Sequence, residues 1–212
     1  TRRLMLLTDP SINISPSLED KIGLCRNAIS VAHALGIEQP RVALIAASEV
    51  VRSDLPSTVD AACLARMAEQ GLFTGAIVDG PIQLDAAVNA VVAAGKGMTG
   101  PVAGAADILL MPNIEAANVL LKALIYFAGV EVGGAAIGAD RPAVTCRYAG
   151  GVAALHRAGR PHAAQGKPSA GSLLAAPGAP CVIEYGKTAV SQGGISLFIL
   201  LTNDDGIMAD GL

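Results

Sequence analysis

Along the chain, up to about Gly138, short apolar runs alternate with longer segments of helical spacing. Short apolar runs are typical of parallel strands covered on both faces, and strands that alternate with helices indicate βαβ units. We therefore predict an α/β fold with a mainly parallel sheet flanked by helices. The predicted strands are Arg3 to Thr8, Arg41 to Ala47, Gly75 to Val78, Ile108 to Met111 and, much later, Ile195 to Leu201.

Polar residues mark the starts of the predicted helices. Ser17 is the predicted N-cap of the first helix, because Asp20 lies at the capping-box distance from it. Strands and helices of these lengths predict right-handed crossover connections between parallel strands. The predicted helices run from Ser17 to about Leu35, from Ser57 or Thr58 to Gln70, from Leu84 to Ala94 and from Asn113 to about Gly129.

The segment around Pro112 joins a buried strand to a helix with polar residues at its start. Pro112 ends the strand because it has no N–H to donate, and Asn113 then follows as the predicted N-cap. Two interpretations stay open: this polar group faces a ligand cleft, or it only caps the helix and reaches solvent. The otherwise apolar helix carries one stripe of polar residues, Glu115, Asn118 and Lys122.

Polar residues also follow two other predicted strands, as Ser48-Glu49 and as Asp79-Gly80-Pro81. Because the carboxyl ends of parallel strands share one edge of a sheet, we expect these residues to converge on the Pro112 segment. Ser57 and Thr58 place two hydroxyls and free N–H groups at a helix start, which is a natural position for a phosphate or carboxylate. The alternative is that these two residues only cap the helix.

Composition narrows the class of protein further. The chain has 212 residues and a net charge of −3. This charge gives no reason to expect nucleic acid or an anionic membrane as partner.

No apolar stretch of the sequence predicts a membrane span. Because the chain starts at Thr1 without a methionine, we expect a fragment or a processed product. Its widely spaced cysteines predict reduced thiols in a cytoplasmic protein; they are Cys25, Cys63, Cys146 and Cys181.

After residue 139 the pattern changes. We predict an α/β domain over residues 1–139, an irregular segment rich in Ala, Gly, Pro and Arg over residues 140–194, and a short strand with an acidic turn over residues 195–212. Motifs for dinucleotides, nucleoside triphosphates, zinc proteases and serine hydrolases are absent. The motifs alone therefore favour none of these activities.

Several sequence blocks of the first domain resemble the phosphate acetyl/butyryltransferase family, and particularly its smaller members and the forms fused behind a MaoC-like enoyl-CoA hydratase domain. The resemblance extends from about Leu4 to Ala139 and includes the Asp79-Gly80-Pro81 motif. The other blocks that carry it are Leu6 to Asp9 with Ile12 to Ile14, Arg26 to Ile29, Arg41 to Leu44, Pro56 to Ala62 and Pro101 to Leu109.

The resemblance implies an acyltransferase that moves an acetyl or butyryl group between coenzyme A and inorganic phosphate. It implies no metal and no cofactor beyond coenzyme A as substrate, a two-domain fold of the isocitrate/isopropylmalate dehydrogenase type, and a homodimer. Thr145 and Arg147 match the family's Thr-Ser-Arg-Ala-Asp-Ser stretch and are the implied catalytic residues. The expected substrate-binding residues are Ser57, Thr58, Asp79, Gly80, Pro81, Asn113, Glu115 and Asn118.

The chain departs from the family in ways that leave alternatives open. The family's preceding block is absent, so we expect full activity to need it; one hypothesis for the change of pattern is a slip of the reading frame near Ala139. A second functional hypothesis is a non-catalytic remnant that binds coenzyme A or dimerises. A third is a metal-dependent nucleotide phosphatase, because Phe198 to Gly206 resembles the acidic turn of the stationary-phase survival nucleotidases, with Asp204 and Asp205 as metal ligands.

Overall fold

The apolar runs of the chain assemble into one sheet with helices packed on it. A computed structural model describes residues 4–137, 143–144 and 196–202. The strands in these residues are β1 (Leu4–Thr8), β2 (Arg41–Ile45), β3 (Ile77–Ile82), β4 (Ile108–Leu110), β5 (Glu131–Ile137), β6 (Ala143–Val144) and β7 (Ser196–Thr202). The helices are α1 (Leu18–Ala34), α2 (Pro56–Glu69), α3 (Leu84–Val88), α4 (Ala90–Gly95) and α5 (Ile114–Ala128).

The sheet has seven strands in the order β3-β2-β4-β1-β7-β5-β6, with β1 at its centre. All neighbouring strands pair in parallel except β5 and β6, which are antiparallel. The predicted mainly parallel α/β fold is therefore confirmed. Strand β7, which matches the late predicted strand to within one residue, lies between β1 and β5.

Successive residues of each central strand enter two different cores, one on each face of the sheet. Leu6 and Leu44 pack with α1 and α2, whereas Leu7 and Ala43 pack with α3, α4 and α5. This alternation follows from the two-residue period of a strand. All four side chains are almost completely buried, and each buried leucine stabilises the fold by about 1.5–3 kcal/mol. Helices therefore pack on both faces of the sheet, and the loops at the strand ends remain accessible for a functional site.

Strand β3 extends beyond the predicted strand from Gly75 to Val78. Strand β3 continues through Asp79-Gly80-Pro81 to Ile82, and its pairing with β2 shifts by one residue between Ala43 and Ile45. Pro81 is tolerated because β3 is the last strand on this side of the described sheet and the pairing is irregular there. Gly80 is needed for close approach, since a Cβ atom at this position would lie 2.6 Å from Leu44 Cβ.

The predicted helix from Leu84 to Ala94 is interrupted. In a continuous helix the carbonyls of Ala86 and Ala87 would accept from the amides four residues later. Here they accept instead from Gly104 N (2.6 Å) and Ala106 N (3.1 Å). The chain therefore breaks at Asn89, whose side chain accepts from the first amides of α4. Competition from a distant loop, which local spacing does not reveal, divides the helix.

Strand β5 was not predicted. Its sequence, Glu-Val-Gly-Gly-Ala-Ala-Ile, has no aromatic residue, and only glycine and alanine separate its two β-branched residues, Val132 and Ile137, so the pattern does not indicate a strand. It forms because the left-handed conformation at Gly129 ends α5 and turns the chain back to the sheet, where β5 pairs with β7.

The cysteines within the described residues, Cys25 and Cys63, are free thiols. Burial raises the pKa of the Cys25 thiol to about 12, so this sulfur stays protonated and packs as a small apolar group. Cys146 and Cys181 lie outside the described residues. No helix in the part of the chain that the structure describes has the length and apolar character needed to cross a membrane.

Helix α1 begins with the predicted capping box. Ser17 Oγ accepts from Asp20 N (3.2 Å), and the Asp20 carboxylate accepts from Ser17 N (2.7 Å). These bonds satisfy two amides that the helix itself cannot pair. Hydrogen bonds from the Ser17 side chain and backbone also hold the pKa of Asp20 below its ordinary value.

We predict that Ser17→Ala lowers the free energy of unfolding by about 1 kcal/mol at pH 7, because the cap is lost. A carboxyl whose folded pKa is lowered stabilises the fold above its unfolded pKa and loses this effect as pH falls through the folded pKa. The stability cost of Asp20→Asn should therefore shrink below about pH 4. Urea unfolding at several pH values measures the free energy of unfolding of both variants, and Glu19→Gln, at an exposed position, is the control. A pH-independent cost for Asp20→Asn would contradict the prediction.

Candidate functional site

Strands β1, β2 and β4 end together on one side of the sheet, here called the carboxyl edge. A small cleft opens at this edge between the ends of β2 and β4 and the first turns of α1 and α2. Its base is apolar and its wall carries a lysine, a serine and an aspartate. The residues that define this edge cleft are Lys21, Leu44, Ser57, Asp60, Leu110 and Pro112.

A buried ion pair forms one wall of the edge cleft. Lys21 Nζ on α1 lies 2.6 Å from Asp60 Oδ2 on α2, and the Lys21 side chain is only 6% exposed. Removing Asp60 would be costly because the buried Lys21 ammonium would be left uncompensated, whereas removing Lys21 would cost less because the Asp60 carboxylate is 29% exposed to water. The pair therefore holds the first turns of two helices together beside Ser57. Sequence reasoning missed both residues, since nothing in their spacing indicates that the two helices meet here.

The start of α2 differs from the prediction. Neither Ser57 nor Thr58 is the N-cap: Leu55 occupies that position without a side-chain hydrogen bond, and Pro56 opens the helix. Proline is favoured there because its fixed backbone angle suits the first helical position and no N–H is needed. The first turn of α2 also has no acidic residue. The positive end of this helix dipole is thus left uncapped next to the edge cleft.

The two hydroxyls of this turn have different surroundings. Thr58 is completely buried, its Oγ1 lies 2.8 Å from Leu55 O, and it accepts from Arg52 N at 2.9 Å. These bonds hold the loop before α2. Ser57 is half-buried and lines the edge cleft. Of the two predicted binding residues, Ser57 is the one whose side chain reaches the cleft.

The start of α5 lies at the same edge, directly after Pro112. The predicted cap is confirmed, because Asn113 Oδ1 accepts from Ala116 N (3.0 Å). Asn118 Nδ2 donates to Pro10 O (3.0 Å), while Glu115 is exposed. The polar start of α5 therefore both caps the helix and contacts the loop that follows β1.

A second charged cluster lies beyond the end of β2. Lys96 Nζ lies 2.7 Å from Glu49 Oε1 and 2.9 Å from Asp85 Oδ1, and Gln83 Nε2 donates to Glu49 (2.7 Å). The hydrogen bond from Lys96 holds the pKa of Glu49 below its ordinary value, and the bonds to Glu49 and then Asp85 raise the pKa of Lys96. This cluster ties the loop after β2 to the end of α4, and only Glu49 was noticed in the sequence.

The predicted site residues fall into three groups. Ser57, Thr58, Asn113, Glu115 and Asn118 lie at the starts of α2 and α5, and of these five residues Ser57 lines the edge cleft. The Asp79-Gly80-Pro81 motif lies within β3, separated from β4 by β2, and the Asp79 carboxylate accepts from Gly80 N (2.8 Å). Four residues lie outside the described residues: Thr145, Arg147, Asp204 and Asp205.

Thr8, at the end of the central strand, has a buried hydroxyl without a hydrogen-bond partner in the part of the chain that the structure describes. Leaving such a group unpaired costs about 1–3 kcal/mol. Among the same residues no three His, Cys, Asp or Glu side chains come together in a group that would hold a metal ion.

The fold and the site together define an α/β protein with a small cleft at the carboxyl edge of a parallel sheet. In such proteins ligands bind outside the carboxyl ends of the strands. A family model described as phosphate acetyl/butaryl transferase matches residues 1–150. The chain belongs to this family.

Individual relatives agree with the family match. A phosphate butyryltransferase from Clostridium beijerinckii is 51% identical over 142 residues, which cover 67% of this chain and 47% of the relative. A phosphate acetyltransferase from Thermotoga maritima is 43% identical over 142 residues, or 67% of this chain and 48% of the relative. The chain thus spans about half the length of these curated relatives.

Two solved structures are similar in fold. A branched-chain phosphotransacylase from Enterococcus faecalis V583 has a TM-score of 0.54 and 37% identity, over 58% of this chain and 44% of that one. The EutD phosphotransacetylase from Staphylococcus aureus has a TM-score of 0.52 and 25% identity, over 58% of this chain and 38% of that one. The mainly parallel sheet flanked by helices is therefore an architecture that phosphotransacylases share.

Thr8 and Thr58 are both buried at this edge, and we predict that substitution by valine has opposite effects on stability at the two positions. Thr8→Val replaces an unpaired hydroxyl by a methyl group and should raise the free energy of unfolding by about 1 kcal/mol. Thr58→Val removes a hydroxyl that bonds the loop before α2 and should lower the free energy of unfolding by about 1–3 kcal/mol. Urea denaturation of both variants checks the pair. Equal destabilisation by the two substitutions would show that the Thr8 hydroxyl has a partner in the folded protein.

Proposed function

We propose that this chain is part of an acyltransferase that moves an acetyl or butyryl group between coenzyme A and inorganic phosphate. The relatives named phosphate butyryltransferase and phosphate acetyltransferase support this proposal. The observation that carries it for this chain is the edge cleft, where Lys21 and the uncapped first turn of α2 meet at the carboxyl edge. Because the chain spans about half of its relatives, the activity of the whole protein is part of the proposal.

The reaction needs groups that hold phosphate and stabilise negative charge. In one direction a base removes the thiol proton of coenzyme A, the sulfur attacks the carbonyl carbon of the acyl phosphate, and phosphate leaves with the bridging electron pair. Cations and N–H groups stabilise the oxyanion of the intermediate. In this proposal Ser57 and the free amides at the start of α2 hold the phosphate oxygens, and the Lys21–Asp60 pair holds that turn in place. Thr145 and Arg147 supply further catalytic groups by family resemblance.

The remaining wall of the proposed site comes from α5 and β3. Asn113, Glu115 and Asn118 stand at the polar start of α5, and their amides and carboxylate suit the hydrogen-bonding groups of coenzyme A. The Asp79-Gly80-Pro81 motif lies in β3, two strands from β4, and at Gly80 it allows the backbones of β3 and β2 to approach closely. The facing wall is proposed to come from a second domain, in a two-domain arrangement of the isocitrate/isopropylmalate dehydrogenase type, and the protein is proposed to act in the cytoplasm.

Coenzyme A binding tests the proposal on this chain directly. We predict that isothermal titration calorimetry detects binding of coenzyme A and of inorganic phosphate, and that Ser57→Ala weakens phosphate binding about tenfold by removing a hydrogen bond to a charged group. Ser53→Ala, an exposed serine in the loop before α2, is the matched control and should bind like the unsubstituted chain. Absence of coenzyme A binding to the unsubstituted chain would contradict the proposed function.

Turnover then separates catalysis from binding alone. Acyl phosphate formation from butyryl-CoA or acetyl-CoA with phosphate is measured on the same preparation. Binding without turnover is expected if the facing wall supplies essential groups, and it is also what a non-catalytic remnant would give. Robust turnover by the isolated chain would show that the facing wall is not required.

We also propose that two copies associate through the outer face of α5. Apolar side chains on this face are strongly exposed, with Tyr126 at 72% and Phe127 at 91%. Exposed apolar patches of this kind mark contact surfaces. We predict that Phe127→Glu yields a monomer in light scattering, because a charge cannot be buried unpaired. Val91→Glu, an equally exposed position on α4, should leave the dimer intact. A monomeric unsubstituted chain would contradict the proposal.

A further inference from the structure

The loop that follows the central strand is organised around one buried carboxylate. Asp9 is 3% exposed, and its Oδ1 accepts from Ser11 N (2.9 Å) and Ile12 N (3.2 Å). Its Oδ2 accepts from Asn13 N (2.8 Å) and Asn13 Nδ2 (2.6 Å). Burying a carboxylate is costly unless it is hydrogen-bonded, so these four donors and the charge hold each other in place. The loop from Pro10 to Ile14 is therefore wrapped around Asp9.

The same loop is bonded to the beginning of α5. Ile14 O accepts from Ile114 N (3.1 Å), the first amide of that helix, and Pro10 O accepts from Asn118 Nδ2 (3.0 Å) one turn later. These contacts join segments about a hundred residues apart in the chain. The position of Asn118 thus depends on the loop, and the loop depends on Asp9.

The contact with Pro10 also fixes which way the Asn118 amide faces. A backbone carbonyl can only accept, so the NH₂ group of Asn118 must be the end directed at Pro10 O. Its Oδ1 then faces away from the loop, and within the described residues it has no hydrogen-bond partner. A half-buried side chain in this state offers an acceptor. It suits an N–H or O–H donor and not the oxygens of a phosphate.

We propose that Asp9 is a positioning residue, which acts through the Pro10 to Ile14 loop to hold Asn118 with its Oδ1 ready to accept from an amide N–H of coenzyme A. This inference rests on the proposed function. It adds one specific contact, in which Asn118 Oδ1 accepts a hydrogen bond from an amide N–H of coenzyme A. Asp9 itself does not touch the substrate in this proposal. Its effect on binding is transmitted by Asn118.

The test uses a double-mutant cycle on the full chain. Asp9→Asn keeps the shape of the side chain but removes the charge and directs an NH₂ group at N–H donors. Asn118→Asp places a carboxylate oxygen against Pro10 O, so that the amide contact is lost. Each single variant should weaken coenzyme A binding about tenfold in calorimetry, and the double variant should be no weaker than either single one. Asp54→Asn, an exposed aspartate, is the control and should bind normally.

A second readout does not need coenzyme A. The side-chain NH₂ protons of Asn118 should be protected from hydrogen exchange in the unsubstituted chain and lose that protection in Asp9→Asn, as observed by nuclear magnetic resonance. If Asp9→Asn does not fold, Asn13→Ala is used instead. It removes one of the four donors to Asp9, Asn13 Nδ2 at 2.6 Å, and should cause a smaller loss of protection at the Asn118 amide.

The outcomes separate this proposal from the proposed function. Normal coenzyme A affinity in Asp9→Asn, or additive losses in the double variant, overturns positioning through Asn118. If the unsubstituted chain fails to bind coenzyme A, the proposed function and its ligand contact fail. Hydrogen exchange at the Asn118 amide still tests whether Asp9 positions Asn118. Loss of protection in Asp9→Asn supports this role of Asp9, and retained protection overturns it.

Discussion

The hydrogen bonds on the buried Asp9 carboxylate fix the backbone at the point where the central strand leaves the sheet. The start of α5 is hydrogen-bonded to the loop that begins here, and β4, which pairs with β1, ends at the same edge of the sheet. A parallel sheet brings strand ends together but does not order the loops between them. Here the loop after β1 is ordered by one charge, and it in turn bonds the first turns of α5.

Two further electrostatic contacts hold the surrounding helices at this edge. The Lys21–Asp60 pair joins α1 to α2 in a buried position, where loss of one partner is costly. The contacts of Lys96 with Glu49 join the loop after β2 to α4 and are more exposed, so each contributes less. The edge cleft is thus preorganised by charges that act on helices and loops, while the two apolar cores hold the sheet. Preorganised polar groups are what transfer of an acyl group requires.

The strand-helix alternation, the capping box at Ser17 and the cap at Asn113 could be predicted because each depends on residues close in sequence. The course of β3 through Pro81 could not, since it depends on which strand lies at the end of the sheet. The break at Asn89 depends on amides of a later loop that take the helix carbonyls. The same limit applies to the site: Ser57 was visible as a helix start, whereas Lys21 is placed only by packing of α1 on α2.

The carboxyl edge of this sheet is proposed to form one wall of a coenzyme A and phosphate site. The sharpest test maps chemical-shift changes in an isotope-labelled chain during titration with coenzyme A and with inorganic phosphate. We expect the largest changes at the loop after β1, the first turn of α2 around Ser57 and the start of α5 around Asn118. Changes confined to the opposite edge of the sheet, or none at all, would contradict it.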